Sequence, residues 1–545
     1  MILYEDEDVL AVDKPAGWNT HVPDPYAPAG VYEWLRAREP RWADLTIMHR
    51  LDKETSGILL FAKSPRARQS LSRQFAERGV GKTYEFLTDR PVPENDWVRR
   101  SLIGRKGDRY REFPEGKVPP QPKGAQVAVT RFQKVGERVD AALARGGSPG
   151  GSRVTLVQAR PETGRTHQIR VHAAASGCPV LGDSLYGGAA APRLCLHAAG
   201  LRFVHPATGE PMEIRTETDF AADPAEGLRR AVVDREDTDA YRMLNGAADG
   251  WPGWSVDRLG AYLMSQAGEP LSGDRVKHLE TLASTAGAKG TYHKTLTTAV
   301  RNVSPSEASP ALVRGQAAPP EFVVRENGVL YALSFEEGYS TGLFLDQRDN
   351  RRRLSVDYVG PGFRPFSGTP IGAEVLNVFA YTCGFSVCAA KAGAKTTSLD
   401  LSRKYLEWGR RNFVLNGLDP RDHDFIYGDA FDWMRRLAHK GRQYDVVLLD
   451  PPTFSTSKPG GAFRAEKDYD ALVDAALPLV KKGGVLFAST NAARISPERF
   501  AVTMETAAAR AGRTIERSFF ASQSPDFPPS RREPAYLKTF WLRVG

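Results

Sequence analysis

EVLNVFAYTCGFSVCAAKAGAKTTSLDLS, residues 374 to 402, decides the fold of the C-terminal half of this chain. It reads as an apolar strand, a turn, an apolar helix and a second strand that ends in Asp400. In Rossmann-like sheets the first such turn lies under a cofactor. An acid closing the second strand, about 20 residues on, accepts hydrogen bonds from ribose hydroxyls. With Gly384 as its only glycine, the turn suits a dinucleotide pyrophosphate poorly. It suits a cofactor without phosphates better, such as S-adenosylmethionine.

Downstream, FIYGD, YDVVLLD and VLFAST are further short β-rich runs, separated by the helical stretches SRKYLEWGRRNFVLNG and YDALVDAALPLVKKGG. Alternating strands and helices imply right-handed βαβ units, hence a parallel sheet with helices on both faces. Asp429 in YGDAFDW and Asp450 in VVLLDPPTF close later strands. Any one such aspartate is more often a helix N-cap. Three acids at successive strand ends point to one cleft at the carboxyl edge of the sheet.

A chain of 545 residues is too long for one core, so two or three domains are expected. Hydrophobic content of 41%, charged content of 26% and a formal net charge of +9 describe globular protein compatible with an anionic partner such as RNA. No apolar run reaches membrane-spanning length, and the acidic opening MILYEDEDVLAVDKP is unlike a targeting peptide, so a cytoplasmic protein is expected with no membrane partner. The four cysteines include no CxxC pair. His167 and His172, five apart, would lie about 140° apart around a helix. Neither pattern favours a metal, and none is expected.

The first 220 or so residues alternate short strands (ILYEDEDVLAVDKP, GILLFAK, GKTYEFLTD, RVTLVQARPETG) with the helical ARQSLSRQFAER, a mixed α+β pattern. ARGGSPGGS (144 to 152) reads as a loop within that domain. A break follows TDFAADPAEG, and 236 to 335 looks β-rich and poorly regular. The expected organisation is therefore multidomain: an α+β domain over 1–222, a linker over 223–235, a small β-rich central domain over 236–335, and an α/β Rossmann-like domain over 336–545. No internal repeat is apparent.

Within the first domain, HRLDKETSG (49 to 57) sets Asp52 between Arg50 and Lys53 and closes on a turn. Flanking cations favour the ionised carboxylate, a nucleophile and not a proton donor. A solvated surface cluster is the common alternative. GKTYEF adds Lys82 and Tyr84, PETGRTHQIRVH adds Arg165, His167 and Arg170, and LGDSLYG adds a turn with Tyr186.

In this order, HRLDKETSGILLFAK, GVGKTYEF, RPETGRTHQIRVHAAASGCPVLGDSLYG and LHAAGLRFVHPATGEP resemble the RluA family of pseudouridine synthases, over about 1 to 222. The resemblance implies an RNA uridine isomerase whose catalytic aspartate is Asp52. It implies that Arg50 helps evict the target nucleotide, that Tyr84 stacks on the flipped base, and that Arg165 is the basic partner of Asp52. Lys82, His167 and Arg170 are then expected to contact RNA. The carboxylate would attack the anomeric carbon of the sugar or remove a sugar proton, and an Arg165 pair would keep it ionised. No S4-type RNA-binding module is recognised, so target choice is expected to rest on other surfaces.

STGLFLDQRDNRR, LNVFAYTCGF, SLDLSRKYLEWGRRNFVLNG, GDAFDWMRR, LLDPPTFSTSK and PSRREPAYLK resemble the RlmI and RlmK group of large-subunit ribosomal RNA methyltransferases, over about 330 to 545. ADGWPGWSVDRLGAYL suggests that the group's central β domain lies in 236–335. The synthase-like domain stands where that group carries a PUA module. The resemblance implies a site for S-adenosylmethionine made by Asn377, Phe379, Tyr381, Asp400, Asp429 and Asp450, with Gln347 and Arg348 closing over it. Pro451, Pro452 and Phe454 would meet the target base.

Methylating cytosine carbon 5 needs a cysteine nucleophile. Neither DPPTF nor ASTNAA offers one, and Cys383 and Cys388 read as packing residues. Guanine N7, which already has a lone pair, is therefore favoured, and DPPTFSTSK is closest to the guanine-7 members; guanine N2 and cytosine C5 stay open. The whole reads as a bifunctional RNA-modifying enzyme acting on large-subunit rRNA, with tRNA open for the synthase half. Two other readings remain: a C-terminal half that only binds S-adenosylmethionine or RNA, and a non-catalytic ribosome-assembly factor. The oligomeric state, the nucleotides modified and whether both halves act on one RNA are not legible.

Overall fold

The computed structural model describes residues 1–114, 124–140, 152–296, 308–338, 340–457 and 461–545. The glycine-rich loop expected at 144–152 lies outside them apart from Ser152. The chain divides into two compact units, one of Met1–His21, Gly30–Arg36 and Asp44–Ala231, the other of Val22–Ala29, Ala37–Ala43 and Val232–Gly545. The stretch expected to be a linker forms the helix Pro224–Val232.

The first unit is built on an 11-stranded, mostly antiparallel sheet. The opening run forms a hairpin of two strands, Ile2–Glu5 and Val9–Lys14, because Asp6 accepts the backbone N–H groups of Asp8 and Val9 and turns the chain. Val9–Lys14 pairs with Ser56–Ala62, whose residues are all buried. That strand runs parallel to Leu196–Val204, and the approach depends on Gly57: a Cβ there would lie 2.4 Å from the Ala198 carbonyl oxygen. The helix Pro65–Ala76 starts where Ser64 accepts the Ala67 N–H, with Pro65 just inside. It packs Ala67 and Leu71 onto a core of Val9, Ala11, Ile58 and Leu60.

In the second unit, residues 236–335 are more regular than their sequence suggests. Ala240–Asn245, Trp254–Leu259, Tyr262–Ala267, Gly290–Thr295 and Ala311–Gly315 make a five-stranded sheet, and the helix Gly273–Ala286 links a parallel pair within it. The hairpin Phe322–Glu326 and Val329–Leu333 follows.

The last sheet has seven strands in the order Asp424–Tyr427, Lys395–Asp400, Glu374–Val378, Tyr444–Leu449, Val480–Thr490, Lys538–Val544, Ile515–Ser522. The first five are mutually parallel, as expected. The last two are antiparallel additions, so the sheet is mixed and not purely parallel. Strand order reverses between Lys395–Asp400 and Tyr444–Leu449, on either side of the first strand, Glu374–Val378. A crevice opens outside the carboxyl ends at such a switch point. Among the described residues no helix is long and apolar enough to cross a membrane.

Candidate functional sites

Each unit carries a cavity lined by residues that the sequence singled out. In the first, a cavity of about 590 Å³ is lined by Arg50, Asp52, Lys82, Tyr84, Arg165, His167 and Arg170, among others. Asp52 sits in the loop that enters the buried strand Ser56–Ala62, and the loop is pinned from three sides. The Thr20 hydroxyl accepts the Leu51 N–H and donates to the Leu51 carbonyl (3.1 and 2.8 Å). The buried Lys14 ammonium donates to the carbonyls of Pro15, Trp18 and Lys53 at 2.8 to 2.9 Å. The Thr55 N–H closes a turn on the Asp52 carbonyl. Burial pushes Lys14 down to about 7, a cost that its three bonds offset.

The expected pairing of Asp52 with Arg165 is not what the structure contains. Arg170 stands 3.8 Å from Asp52, and it is in turn gripped by the buried Asp183 through two bonds of 2.7 and 2.8 Å. Arg165 lies in the turn before the helix Gln168–Ala175, and its Nε donates to the Val127 carbonyl at 3.2 Å. That tether holds its guanidinium on the cavity wall. Arg170, in the helix's first turn, faces inward to Asp183. The Asp183 carboxylate was the missed signal: LGDSLYG contributes an acid as well as Tyr186. A carboxylate held by a second, buried carboxylate–arginine pair keeps its geometry.

Gln168 knits the floor, donating to the Val129 carbonyl and Thr130 hydroxyl while accepting from Thr163. Tyr84 lies within the cavity with its phenol pushed well up by burial and by the charge of Asp52. It is a neutral ring fit for stacking. Lys82 lies over the Phe75 ring at 5.1 Å, and Arg50 is exposed at the rim. His172 is not at the site; it is buried between the hydroxyls of Ser101 and Thr130.

The second cavity, of about 440 Å³, lies at the carboxyl edge of the seven-stranded sheet. Gln347, Phe379, Tyr381, Asp400, Asp450, Pro451 and Pro452 line it, together with Asp346, Arg351, Tyr405 and Asn491, which the sequence reading missed. Its floor is strained: Phe379, Tyr381 and Cys383 all take positive φ (62°, 51° and 62°), the left-handed region that side-chain-bearing residues rarely hold. Asp400 secures the turn by accepting the N–H groups of Tyr381 and Ser402, each at 2.8 Å. Burial still pushes its carboxyl above the usual range. Below the turn, Cys383 packs against Gly409, where a Cβ would overlap its sulfur.

Four residues expected to contact cofactor or base lie outside the lining of this cavity. Arg348 does not close over the cavity; it is buried in a two-bond pair with Asp526, at 2.7 Å each. Arg351, one helical turn on, reaches the cavity instead while paired with Glu326. Asn377 is buried beneath the turn, donating to Ser386. Asp429 is the N-cap of the helix Ala430–His439. Phe454 lies on the hairpin beyond the prolines with Arg464 over its ring, outside the lining. Gln347 acts through Asp450, donating to it at 3.0 Å and to Ser489 at 2.8 Å.

Burial raises the Asp450 carboxyl to about 6, with the charge of Asp346 adding to the effect. Asp346, Asp400 and Asp450 surround a space flanked by the rings of Phe344, Phe379, Phe385, Tyr381 and Tyr405. Three carboxylates repel phosphate and favour cationic groups, and aromatic walls accept a flat base. These residues fit a phosphate-free nucleoside cofactor with a positive charge, as S-adenosylmethionine is.

Residues 8–175 match the family model for RNA pseudouridylate synthase, and residues 269–543 that for S-adenosylmethionine-dependent methyltransferase. A ribosomal RNA large subunit methyltransferase of Deinococcus radiodurans is 33% identical over 316 residues, covering 56% of this chain and 73% of that protein. A SAM-dependent methyltransferase from Streptococcus mutans, of known structure, is 26% identical with a TM-score of 0.48, over 63% of this chain and 88% of that one. Human RNA pseudouridylate synthase domain containing 1 is 29% identical with a TM-score of 0.33, over 40% of this chain and 82% of that one.

Proposed function

Because this chain belongs to the S-adenosylmethionine-dependent methyltransferase family and carries an RNA pseudouridylate synthase domain ahead of the methyltransferase domain, we propose that it modifies large-subunit ribosomal RNA at two nucleotides. One uridine is isomerised at Asp52, and one guanine is methylated at N7 beside Asp450. The relatives named as large-subunit rRNA methyltransferases support the RNA class. Asp52 breaks the bond between uracil N1 and the sugar, by attack on C1′ or by removing a sugar proton. Arg170 holds the carboxylate, and Tyr84 carries the freed base.

The choice of guanine over cytosine carbon 5 is supported by one observation: among the described residues no cysteine lines the second cavity. Cys383 and Cys388 are buried, the Cys383 thiol pushed up to about 12 by burial and the Cys388 thiol bonded to Tyr331. Cys178 and Cys195 belong to the other unit. Carbon 5 of cytosine needs a thiolate to activate its ring, whereas N7 of guanine needs only alignment. S-adenosylmethionine supplies an activated methyl group. The protein's share is to orient the acceptor with Pro451 and Pro452 and to hold Asp450 through Gln347.

Nucleoside mass spectrometry of large-subunit rRNA from cells with and without the gene tests both halves. Loss of one pseudouridine and one 7-methylguanosine is expected. Loss of 5-methylcytidine or N2-methylguanosine would replace the N7 reading, and an unchanged pseudouridine count would remove rRNA as the synthase substrate.

The Asp450 carboxyl also sets a pH dependence. Above about 6 it is ionised and accepts hydrogen bonds; as pH falls through about 6 it takes a proton and loses its charge. Single-turnover methyl transfer is expected to fall about tenfold per pH unit below that point. In Asp450→Asn the rate should be low and flat across the same range.

A further inference from the structure

His167 stands in the Asp52 cavity at φ +56°, a strained conformation for a histidine. It precedes the helix Gln168–Ala175, but its side chain makes no capping bond. The strain therefore serves another end. Its Nδ1 lies 2.9 Å from the Tyr186 hydroxyl, with Tyr110 and Tyr186 edge-on to the imidazole at 5.6 and 5.7 Å.

The Tyr110 backbone N–H donates to the Tyr186 oxygen, an arrangement that favours giving the phenolic proton to His167 Nδ1, and we assign the tautomer on that basis. In a neutral imidazole the other nitrogen, Nε2, then carries the hydrogen. Burial lowers the proton affinity of the ring and keeps it neutral. Nε2 faces Asp52 Oδ2 at 3.8 Å, too far for a hydrogen bond. It is a fixed donor without a close acceptor among the described residues. The cation beside Asp52, Arg170, is committed to Asp183 through Nε and Nη2.

We propose that His167 is a catalytic residue whose Nε2–H donates to the uracil ring as its bond to the sugar breaks. The N1–C1′ bond breaks with both electrons staying on uracil, as an anion spread over N1, O2 and O4. At the sugar, C1′ gains a bond to an Asp52 oxygen, or a C1′=C2′ double bond forms if Asp52 takes the 2′ proton. A positioned donor stabilises charge that exists only between breaking and rejoining. When C5 bonds to C1′, the C1′–oxygen bond to Asp52 breaks, or Asp52 returns its proton to C2′ as the double bond closes; the C5 proton leaves to solvent and N1 gains one, so the donor need not give up its own hydrogen. The inference rests on Asp52 being the residue at the reacting sugar.

The test compares two leaving groups in the RNA that the wild-type chain isomerises, transcribed with uridine or with 5-fluorouridine, and reads for both the loss of the N1-linked nucleoside, because 5-fluorouridine has no C5 proton to lose and stops at the C5-linked adduct. Fluorine stabilises the uracil anion and so reduces the need for a donor. His167→Ala should slow uridine rearrangement at saturating RNA by about 10² to 10³-fold but 5-fluorouridine rearrangement by less than about tenfold. His167→Gln, which keeps an N–H donor, should recover part of the uridine rate and serves if the alanine variant does not fold. Equal losses on both substrates would mean that His167 only shapes the cavity, and overturn the proposal. An Asp52→Asn variant that still rearranges uridine would instead remove the reading beneath it.

Discussion

Asp52→Asn will abolish pseudouridine formation, a loss of about 10⁴-fold or more, while S-adenosylmethionine-dependent methyl transfer continues at the wild-type rate. Asparagine has nearly the shape of aspartate and can still meet Arg170 and His167, so the loop held by Thr20 and Lys14 should stay in place. What it lacks is a charged oxygen able to attack a carbon or take a proton, a deficiency worth several orders of magnitude in covalent catalysis. Methyl transfer is spared because its cavity is lined only by residues of the other compact unit. Single-turnover assays, reading pseudouridine by mass spectrometry and methyl transfer by radiolabel, separate the two. Pseudouridine formation persisting in the variant would assign the chemistry to another group. Asp52→Glu should fail nearly as fully, because one added methylene moves the oxygen by more than in-line chemistry tolerates.

That prediction draws on a motif legible in the sequence, but the residue that holds Asp52 was not. Arg165 and Arg170 both follow a turn and both lie on the cavity wall. Only the start of the helix at Gln168 and the partner Asp183, thirteen residues beyond Arg170, decide which of them turns inward. The parallel strands from Glu374 to Thr490 were legible because strands covered on both faces read as unbroken apolar runs. Ile515–Ser522 and Lys538–Val544 were not. IERSFFAS interleaves charged and aromatic residues, as an edge strand does, and KTFWLRV follows directly on the irregular stretch that ends at Leu537. The same limit hid the sheet and helix within 236–335. Its strands are short, and Gly273–Ala286 has a single buried residue, Leu279, so it leaves little apolar periodicity to read.

Arg348→Ala will cost the second unit about 3–5 kcal/mol of stability. The family resemblance implies that Arg348 closes over the cofactor, yet its side chain is 1% exposed and its partner Asp526 is 0% exposed, with two bonds of 2.7 Å between them. Removing either partner strands a charge where water cannot reach it, and that penalty exceeds what the pair contributed when intact. Asp526→Ala should therefore be as damaging, with the added loss of an acceptor for the Arg242 N–H. Replacing both at once, Arg348→Met with Asp526→Leu, should recover much of the stability, because neither partner is left unpaired and Asp349, which also faces Arg348 at 3.8 Å, keeps Arg38. Thermal or urea unfolding of the four proteins in this cycle checks the claim. The measurement also separates structure from ligand binding. If Arg348 served the cofactor, the double variant would fold and still bind S-adenosylmethionine weakly. If it serves the fold, the double variant will bind the cofactor within about threefold of wild type, since Asp400, Asp450 and Gln347 keep their partners. The second outcome is expected, because the arginine that lines the cavity is Arg351, held there by Glu326.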